Sequence, residues 1–239
     1  MNNYKTSVQL KSLAKGQLLG KYSTVIGAFL LMEVVMLAFS VIASFFVDRT
    51  SMFGLILGYI ISFLISLFSG IFAAGQAYIC LNISCNRPCR ATDIFFGFKQ
   101  HPDKALLLQI ILSLISFVCM IPSYVLSGIG IYTGEIIYVF PSCVCLIIGT
   151  IIYVYFALAF SQVFYLLLDF PDYSVSQILS LSKKIMKGQK GRYFYLTVGF
   201  IPLYLLGLLS CCVACLWITP YVNQTMANFY LDLMKNRQN

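Results

Sequence analysis

The sequence has few charged residues. Asp, Glu, Lys and Arg make up 10% of its 239 residues, whereas 60% are hydrophobic. A typical soluble domain has about 25% charged residues, which keep its surface hydrated. This scarcity and the mean hydropathy of +0.87 exclude a soluble enzyme, a secreted disulfide scaffold and a disordered chain. The composition predicts an all-α, polytopic membrane protein.

Residues that carry common enzyme chemistry are also scarce. The chain has one histidine, His101, and eight acidic residues, and it lacks the motifs GxxxxGK[ST], HExxH and GxSxG. Cys212 and Cys215 have CxxC spacing, but a soft-metal or redox site needs further ligands. We therefore expect no catalytic residues, no metal site and no cofactor, and we predict that the protein is not an enzyme.

The net charge of +8 does not indicate a nucleic-acid partner. The basic residues form short clusters between long uncharged runs and do not line one face of a folded domain. Their positions are better explained by membrane topology.

Six apolar segments can be placed as membrane spans, each of which crosses the hydrocarbon core with about 20 residues. They cover residues 23–47, 53–81, 105–126, 141–168, 193–209 and 219–234. We predict one transmembrane domain, residues 23–239, after an amphipathic interfacial segment, residues 1–22. The expected fold is a six-transmembrane-helix bundle with interfacial amphipathic helices on its cytoplasmic side.

The basic residues orient these spans. All of the 16 Lys and Arg except Arg49 lie in alternate segments, beginning with the segment before the first span. The positive-inside rule then places both termini in the cytoplasm. The same asymmetry favours a break in the last apolar run, with Thr219 as the N-cap and Pro220 as the first residue of the sixth helix.

A basic amphipathic helix is predicted between the fourth and fifth spans. In residues 174–187 the apolar side chains share one helical face, and Ser174 with Gln177 forms a capping-box pattern. Such a helix is either a connector packed on the bundle or a surface that recognises anionic lipid headgroups. The residues expected at the headgroups or the interface are Lys183, Lys184, Lys187, Lys190, Arg192 and Trp217.

Glu33 is the one acidic residue near the midplane of a predicted span. A carboxylate at this depth has to face the bundle interior, pair with a partner or be protonated. It is either a proton or cation site or a neutral acid that bonds a neighbouring helix. The polar residues that could join it in an intramembrane site are Gln76, Gln109, Gln162, Asn223 and Asn228. These amides either link helices by hydrogen bonds or line a hydrated cavity.

Several sequence blocks resemble a known family, most specifically in the last third of the chain. They are Ile185-Met186-Lys187-Gly188, Tyr193-Phe194, Leu216-Trp217-Ile218-Thr219-Pro220-Tyr221, Ala227-Asn228-Phe229-Tyr230, and earlier Ile26–Leu31 and Asp93–Phe98. These blocks are similar to the bacterial integral-membrane family known as domain of unknown function nine-seven-five. The cluster Ser210–Cys215 departs from the family pattern, in which a Gly-rich turn is expected.

The resemblance implies a six-helix bundle in the bacterial cytoplasmic membrane. It also implies a layout similar to the membrane domain fused to some glycerophosphodiester phosphodiesterases, with no catalytic residues to carry over. Two functions stay open. One is a non-enzymatic accessory or scaffold protein that acts through lipids, a membrane-protein partner or a second copy of the chain. The other is a transporter or channel for protons or a small solute, with Glu33 in a polar cavity.

Overall fold

The computed structural model describes residues 4–46 and 52–238, and every regular element in those ranges is helical. Arg49 and the predicted end of the first span at residue 47 lie outside the described residues. The α-helices are α1 Ser7–Leu18, α2 Tyr22–Phe46, α3 Met52–Ser84, α4 Phe96–Lys99, α5 Pro102–Thr133, α6 Val139–Phe160, α7 Val163–Asp169, α8 Val175–Ile185, α9 Lys190–Val198, α10 Ile201–Leu209 and α11 Cys215–Gln238. Two 3₁₀ helices, Ala91–Phe95 and Ile136–Tyr138, precede α4 and α6.

Five segments of the described chain are long and apolar enough to cross a membrane. They are Tyr22–Phe45, Ile60–Ser84, Pro102–Thr133, Ile136–Asp169 and Lys190–Leu209. They coincide with the first five predicted spans and indicate a membrane-embedded protein. α11 is not among them, since Asn223, Gln224, Asn228 and Asp232 make it more polar.

The prediction that the last helix begins at Pro220 is wrong. α11 begins at Cys215, so Pro220 lies inside it. The turn before α11 supplies the cap, because the Ser210 hydroxyl accepts a hydrogen bond from the Ala214 N–H at 3.0 Å. The Ala214 carbonyl then accepts from the Ile218 N–H. Inside the helix, Pro220 removes the hydrogen bond that an N–H at this position would donate to the Leu216 carbonyl, and its ring crowds that carbonyl.

The buried core lies at one end of the bundle, which we call the packed end. It is built from α1, the first turns of α2 and α5, the last turns of α3, α7 to α9, and the second half of α11. Leu18, Ile79, Leu166 and Tyr230 are fully buried there. α11 runs through this core and contacts α1, α2 and α3.

A helix, α8, lies where the basic amphipathic helix was predicted. Ser174 caps it, and the reciprocal bonds of the capping box with Gln177 are both formed. Its apolar face, including Ile178 and Ile185, is buried against the bundle, while Lys183 and Lys184 in the last turn are exposed. Packing on protein therefore covers the apolar face of this helix.

Away from the packed end, the helices expose large apolar side chains on their outer surfaces. These run from Leu30 to Phe45 on α2, from Leu114 to Tyr132 on α5 and from Val139 to Tyr155 on α6. At 1.5 Å per residue the three stretches are about 22, 27 and 24 Å long, close to the hydrocarbon thickness of about 30 Å. We call this region the apolar band.

Candidate functional site

One face of α11 carries three buried polar side chains at four-residue spacing: Gln224, Asn228 and Asp232. Their exposed fractions are 0%, 6% and 6%. Residues four apart lie on the same side of a helix, and this side faces α1 and α3. Buried polar groups have to be hydrogen-bonded to be tolerated, so the partners of this face define the candidate site.

The first part of the site is a cluster of amides and a hydroxyl, Gln17, Ser84, Gln224 and Asn228. The Gln224 amide nitrogen donates to Gln17 Oε1 at 3.0 Å and to Ser84 Oγ at 2.7 Å. The Asn228 amide nitrogen donates to the same Gln17 oxygen at 2.8 Å, and Ser84 Oγ donates to Asn228 Oδ1 at 3.1 Å. Three helices, α1, α3 and α11, are thereby joined by one hydrogen-bonded network, which we call the amide cluster.

The second part is an ion pair one helical turn beyond Asn228 on α11. Arg192 on α9 donates to the Asp232 carboxylate at 2.5 Å, and the two side chains are 20% and 3% exposed. The backbone N–H of Lys5 also points at this carboxylate, at 3.3 Å. The Arg192 guanidinium lies over the rings of Tyr4 and Phe229, at 5.0 and 4.9 Å from their centroids. This arrangement joins the segment before α1, the start of α9 and the end of α11.

An aromatic pair closes the other side of α11. The Tyr230 hydroxyl donates to Asp169 Oδ2 at 2.5 Å, and its ring stacks on Tyr165 with centroids 5.1 Å apart. Asp169 ends α7. α11 is therefore held by polar contacts on two sides, which is the arrangement of a fixed structural element.

The structure does not gather the residues of the candidate intramembrane site into one cluster. Glu33 is exposed on the outer surface of α2, and among the described residues its carboxylate has no hydrogen bond or ion pair. Gln76 donates to Met32 Sδ at 3.2 Å, and Gln162 donates to the hydroxyl of Ser161 at 2.8 Å. At this level of α2 the partly buried side chains are Met32, Val35 and Met36, and Glu33 lies to one side of them.

The remaining predicted polar residues also have separate environments. Gln109 packs tightly on the backbone of α3 at Gly70. Its side chain lies within 3 Å of the position that a Cβ on Gly70 would occupy. Asn223 is half-buried, and its carbonyl accepts from the Tyr165 hydroxyl at 3.5 Å. Only Asn228 belongs to the amide cluster. Gln17 and Ser84 were not predicted, and the four-residue spacing of Gln224 and Asn228 was the one signal in the sequence for this face of α11.

The predicted interfacial residues divide into three groups. Lys183, Lys184 and Lys187 are exposed at the packed end. Lys190 lies with its ammonium 3.4 Å from the centroid of the Tyr155 ring. Arg192 is engaged by Asp232 instead of being free for headgroups.

Trp217 does not belong with these basic residues. It is 52% exposed at the start of α11. Fifteen residues separate it from Asp232, which corresponds to about 22 Å along the helix. α11 therefore carries Trp217 and the ion-paired Asp232 at opposite ends.

Two groups at the packed end have altered acidity. Lys11 donates to the Gly199 carbonyl at 2.8 Å and lies 4.1 Å from the centroid of the Phe200 ring. Burial lowers the pKa of this ammonium below its ordinary value. Burial raises the pKa of the Cys89 thiol, with nearby Lys21 acting in the opposite direction, so this thiol is a weaker nucleophile than an exposed one.

All nine cysteines are free. In the described part of the chain, no group of three or more His, Cys, Asp or Glu side chains is placed to hold a metal ion. The chemistry that the site offers is hydrogen bonding and one ion pair, both used between helices.

A family model described as "Protein of unknown function (DUF975)" matches residues 1–237 of the chain. No curated protein and no solved structure matches it significantly.

Proposed function

We propose that this chain, which belongs to the DUF975 family, is a non-enzymatic accessory or scaffold protein of a bacterial cytoplasmic membrane. It has six spans and presents the packed end to the cytoplasm. Its action is to hold a membrane-protein partner or lipids at that surface.

The observation that carries the proposal is the amide cluster. A transport pathway needs polar groups that are free to meet a solute. In this cluster the Gln224 and Asn228 amide nitrogens and the Ser84 hydroxyl are bonded to other members, and Gln224 Oε1 is the buried atom left without a partner among the described residues. Interhelical bonds of this kind stabilise a bundle by about 0.6–2 kcal/mol each. The polar residues of α11 thus favour a rigid platform over a hydrated passage.

The path of α11 supports the sixth span. Cys215 at its start lies beside Gly207 of α10, while Asp232 pairs with Arg192 of α9. α11 therefore runs antiparallel along the whole fifth segment, Lys190–Leu209, over about 25 Å. A helix of that length brings the C-terminus back to the packed end. With both termini in the cytoplasm, the basic residues then lie on the cytoplasmic side.

The exposed lysines of α8 provide the surface for a partner. Lys183, Lys184 and Lys187 lie together at the packed end, and no acidic side chain in the described residues pairs with them. Their charge suits an acidic protein surface or anionic headgroups.

Photo-crosslinking in cells tests the scaffold role. A photoreactive residue at exposed Ser180 on α8 should capture one defined membrane protein, and the combined change Lys183→Gln and Lys184→Gln should reduce that product. A photoreactive residue at Tyr132, 93% exposed at the far end of α5, is the matched control and should not capture it. Identical products at both positions, or none at Ser180, would contradict the proposal.

The alternative, a proton or solute transporter, is supported by Glu33, a carboxylate in a span without a partner among the described residues. It requires a flux in proteoliposomes that Glu33→Gln abolishes. On the scaffold proposal, wild-type and Glu33→Gln liposomes leak protons at the same rate as protein-free ones.

A further inference from the structure

An apolar cavity opens between α5, α6 and α7 where the apolar band meets the packed end. Its volume is about 170 Å³. Its main lining side chains are Leu112, Ile115, Tyr153, Phe156, Phe160 and Phe164. Apolar cavities of about 150 Å³ in proteins bind molecules as large as benzene, so this one has room for a segment of hydrocarbon chain.

The surroundings of the cavity indicate what fills it. It lies at the end of the apolar band, where Tyr155 is the last exposed aromatic residue of α6. Acyl chains are the solvent at that depth, and a cavity lined by aromatic and aliphatic side chains excludes water in favour of hydrocarbon. The occupant is therefore the part of a lipid's acyl chain that lies closest to the headgroup.

A cation lies one aromatic ring away from the cavity lining. The Lys190 ammonium is 3.4 Å from the centroid of the Tyr155 ring, and the Tyr155 ring lies 5.8 Å from the ring of Phe156, which lines the cavity. Lys190 is the first residue of the candidate span Lys190–Leu209, which is the depth of lipid phosphates. In the described residues the ion pair is Arg192 with Asp232, so Lys190 has no carboxylate partner there.

We propose that this cavity and Lys190 form a binding site for an anionic phospholipid, with a segment of one acyl chain among the aromatic side chains and the phosphate at the ammonium. This inference rests on the proposed function and names one lipid class for it. The Tyr155 ring holds the ammonium in place by a cation–π contact, so less side-chain freedom is lost when the phosphate binds.

Native mass spectrometry of the full chain in neutral detergent tests the headgroup contact. The probes are phosphatidylglycerol and phosphatidylcholine with the same acyl chains. Wild-type protein should bind phosphatidylglycerol more tightly. Lys190→Gln should weaken that binding about fivefold, the effect of one basic residue near an anionic headgroup, and leave phosphatidylcholine unchanged. Lys99→Gln, which removes an exposed charge from another part of the surface, is the matched control and should have no effect.

Filling the cavity tests the acyl-chain contact. Ala157 also lines it, so Ala157→Phe should weaken the binding of both lipids, whereas Ala38→Phe on the exposed surface of α2 should not. Ala157→Leu is the smaller filling to use if the larger one prevents folding. The site would be overturned if Lys190→Gln and Lys99→Gln weakened phosphatidylglycerol binding equally, or if Ala157→Phe and Ala38→Phe weakened lipid binding equally. Because the lipids are measured on purified protein, this result is separate from partner capture in cells.

Discussion

Asp232 connects three parts of the chain through a single carboxylate. It receives hydrogen bonds from the Arg192 guanidinium and from the Lys5 backbone, and it is almost completely buried. Inside a protein, the cost of burying two charges is offset only while both partners are present. The ion pair is therefore a point at which a single change leaves an uncompensated charge.

Asp232→Asn should lower the free energy of unfolding by about 3 kcal/mol. The substitution keeps the shape of the side chain but leaves the Arg192 guanidinium, 20% exposed, without a counter-charge. Chemical denaturation in mild detergent measures the change. Glu135→Gln, which removes an exposed carboxylate after α5, should change the free energy by less than about 0.5 kcal/mol; a similar loss in both variants would contradict the role of the pair.

Cys212 occupies a backbone conformation that suits glycine. Its φ is 66°, and that of Cys211 is 50°, in the turn between α10 and α11. For a residue with a Cβ this left-handed conformation costs about 1–2 kcal/mol. The family resemblance leads to the expectation of a Gly-rich turn here, and these dihedral angles are the physical reason for such a turn.

Cys212→Gly should raise the free energy of unfolding by about 1 kcal/mol, because glycine relieves the left-handed strain and the exposed thiol loses little packing. Cys143→Gly makes the same exchange at an exposed helical position of α6 and should lower it by about 1 kcal/mol. Thermal unfolding followed by circular dichroism distinguishes the increase expected for Cys212→Gly from the decrease expected for Cys143→Gly. A loss of stability in both would show that the turn carries no strain.

At the scale of elements, the segment from Ala91 to Lys99 is the least expected feature. It packs against α3 well before the end of that helix. Glycine makes this approach possible, since a Cβ at Gly75 would lie 1.9 Å from the Ile94 carbonyl oxygen and one at Gly97 would lie 2.3 Å from the Ile71 carbonyl oxygen. Phe72 of α3 meets the rings of Phe95 and Phe98 edge-on.

Gly75→Ala should lower the free energy of unfolding by at least about 3 kcal/mol, because the added methyl meets backbone, which cannot rotate away. Gly128→Ala on α5 is the matched control, since nothing lies within 4 Å of its Cβ position. It should raise the free energy of unfolding by up to about 1 kcal/mol through helix propensity. Equal effects of the two variants would mean that the segment does not dock as described.

At the scale of the whole molecule, the protein divides into the packed end and the apolar band. The packed end holds the buried core, the amide cluster and the ion pair, while the band exposes side chains such as Leu37 and Phe117 that are 65% and 58% accessible. In water such a surface would aggregate, whereas in a bilayer it is the surface that faces lipid. Within the band α5 and α6 still pack closely, because the Ser123 hydroxyl donates to the Ser142 carbonyl at 3.1 Å and a Cβ at Gly149 would lie 2.4 Å from the Cys119 carbonyl oxygen.

Reporter fusions test the orientation of this arrangement. Green fluorescent protein fused after the last residue should fluoresce, since we place that end in the cytoplasm, and alkaline phosphatase fused there should be inactive. Alkaline phosphatase inserted at Gly134, between α5 and α6, should be active. The reverse pattern would overturn the orientation, and an active C-terminal phosphatase would overturn the sixth span.

Local patterns predicted much of the fold. Long uncharged runs predicted the helices α2, α3, α5, α6 and α9 with α10, because hydropathy over about 20 residues does not depend on neighbouring segments. The capping box at Ser174 and Gln177 predicted α8 for the same reason, since its two bonds lie within one turn. The start of α11 was not predicted, because the cap comes from Ser210 in the preceding turn, and Thr219 and Pro220 gave a plausible alternative.

What the sequence by itself determined is that this is a helical, membrane-embedded protein, since hydropathy acts along the chain. What only the tertiary structure decided is which polar residues meet. Gln17, Ser84 and Asn228 are far apart in sequence and converge through packing, whereas Glu33, the most conspicuous residue in the sequence, points outward from α2. The direction in which a helix presents a residue depends on its neighbours in space, and a pattern along one chain does not contain them.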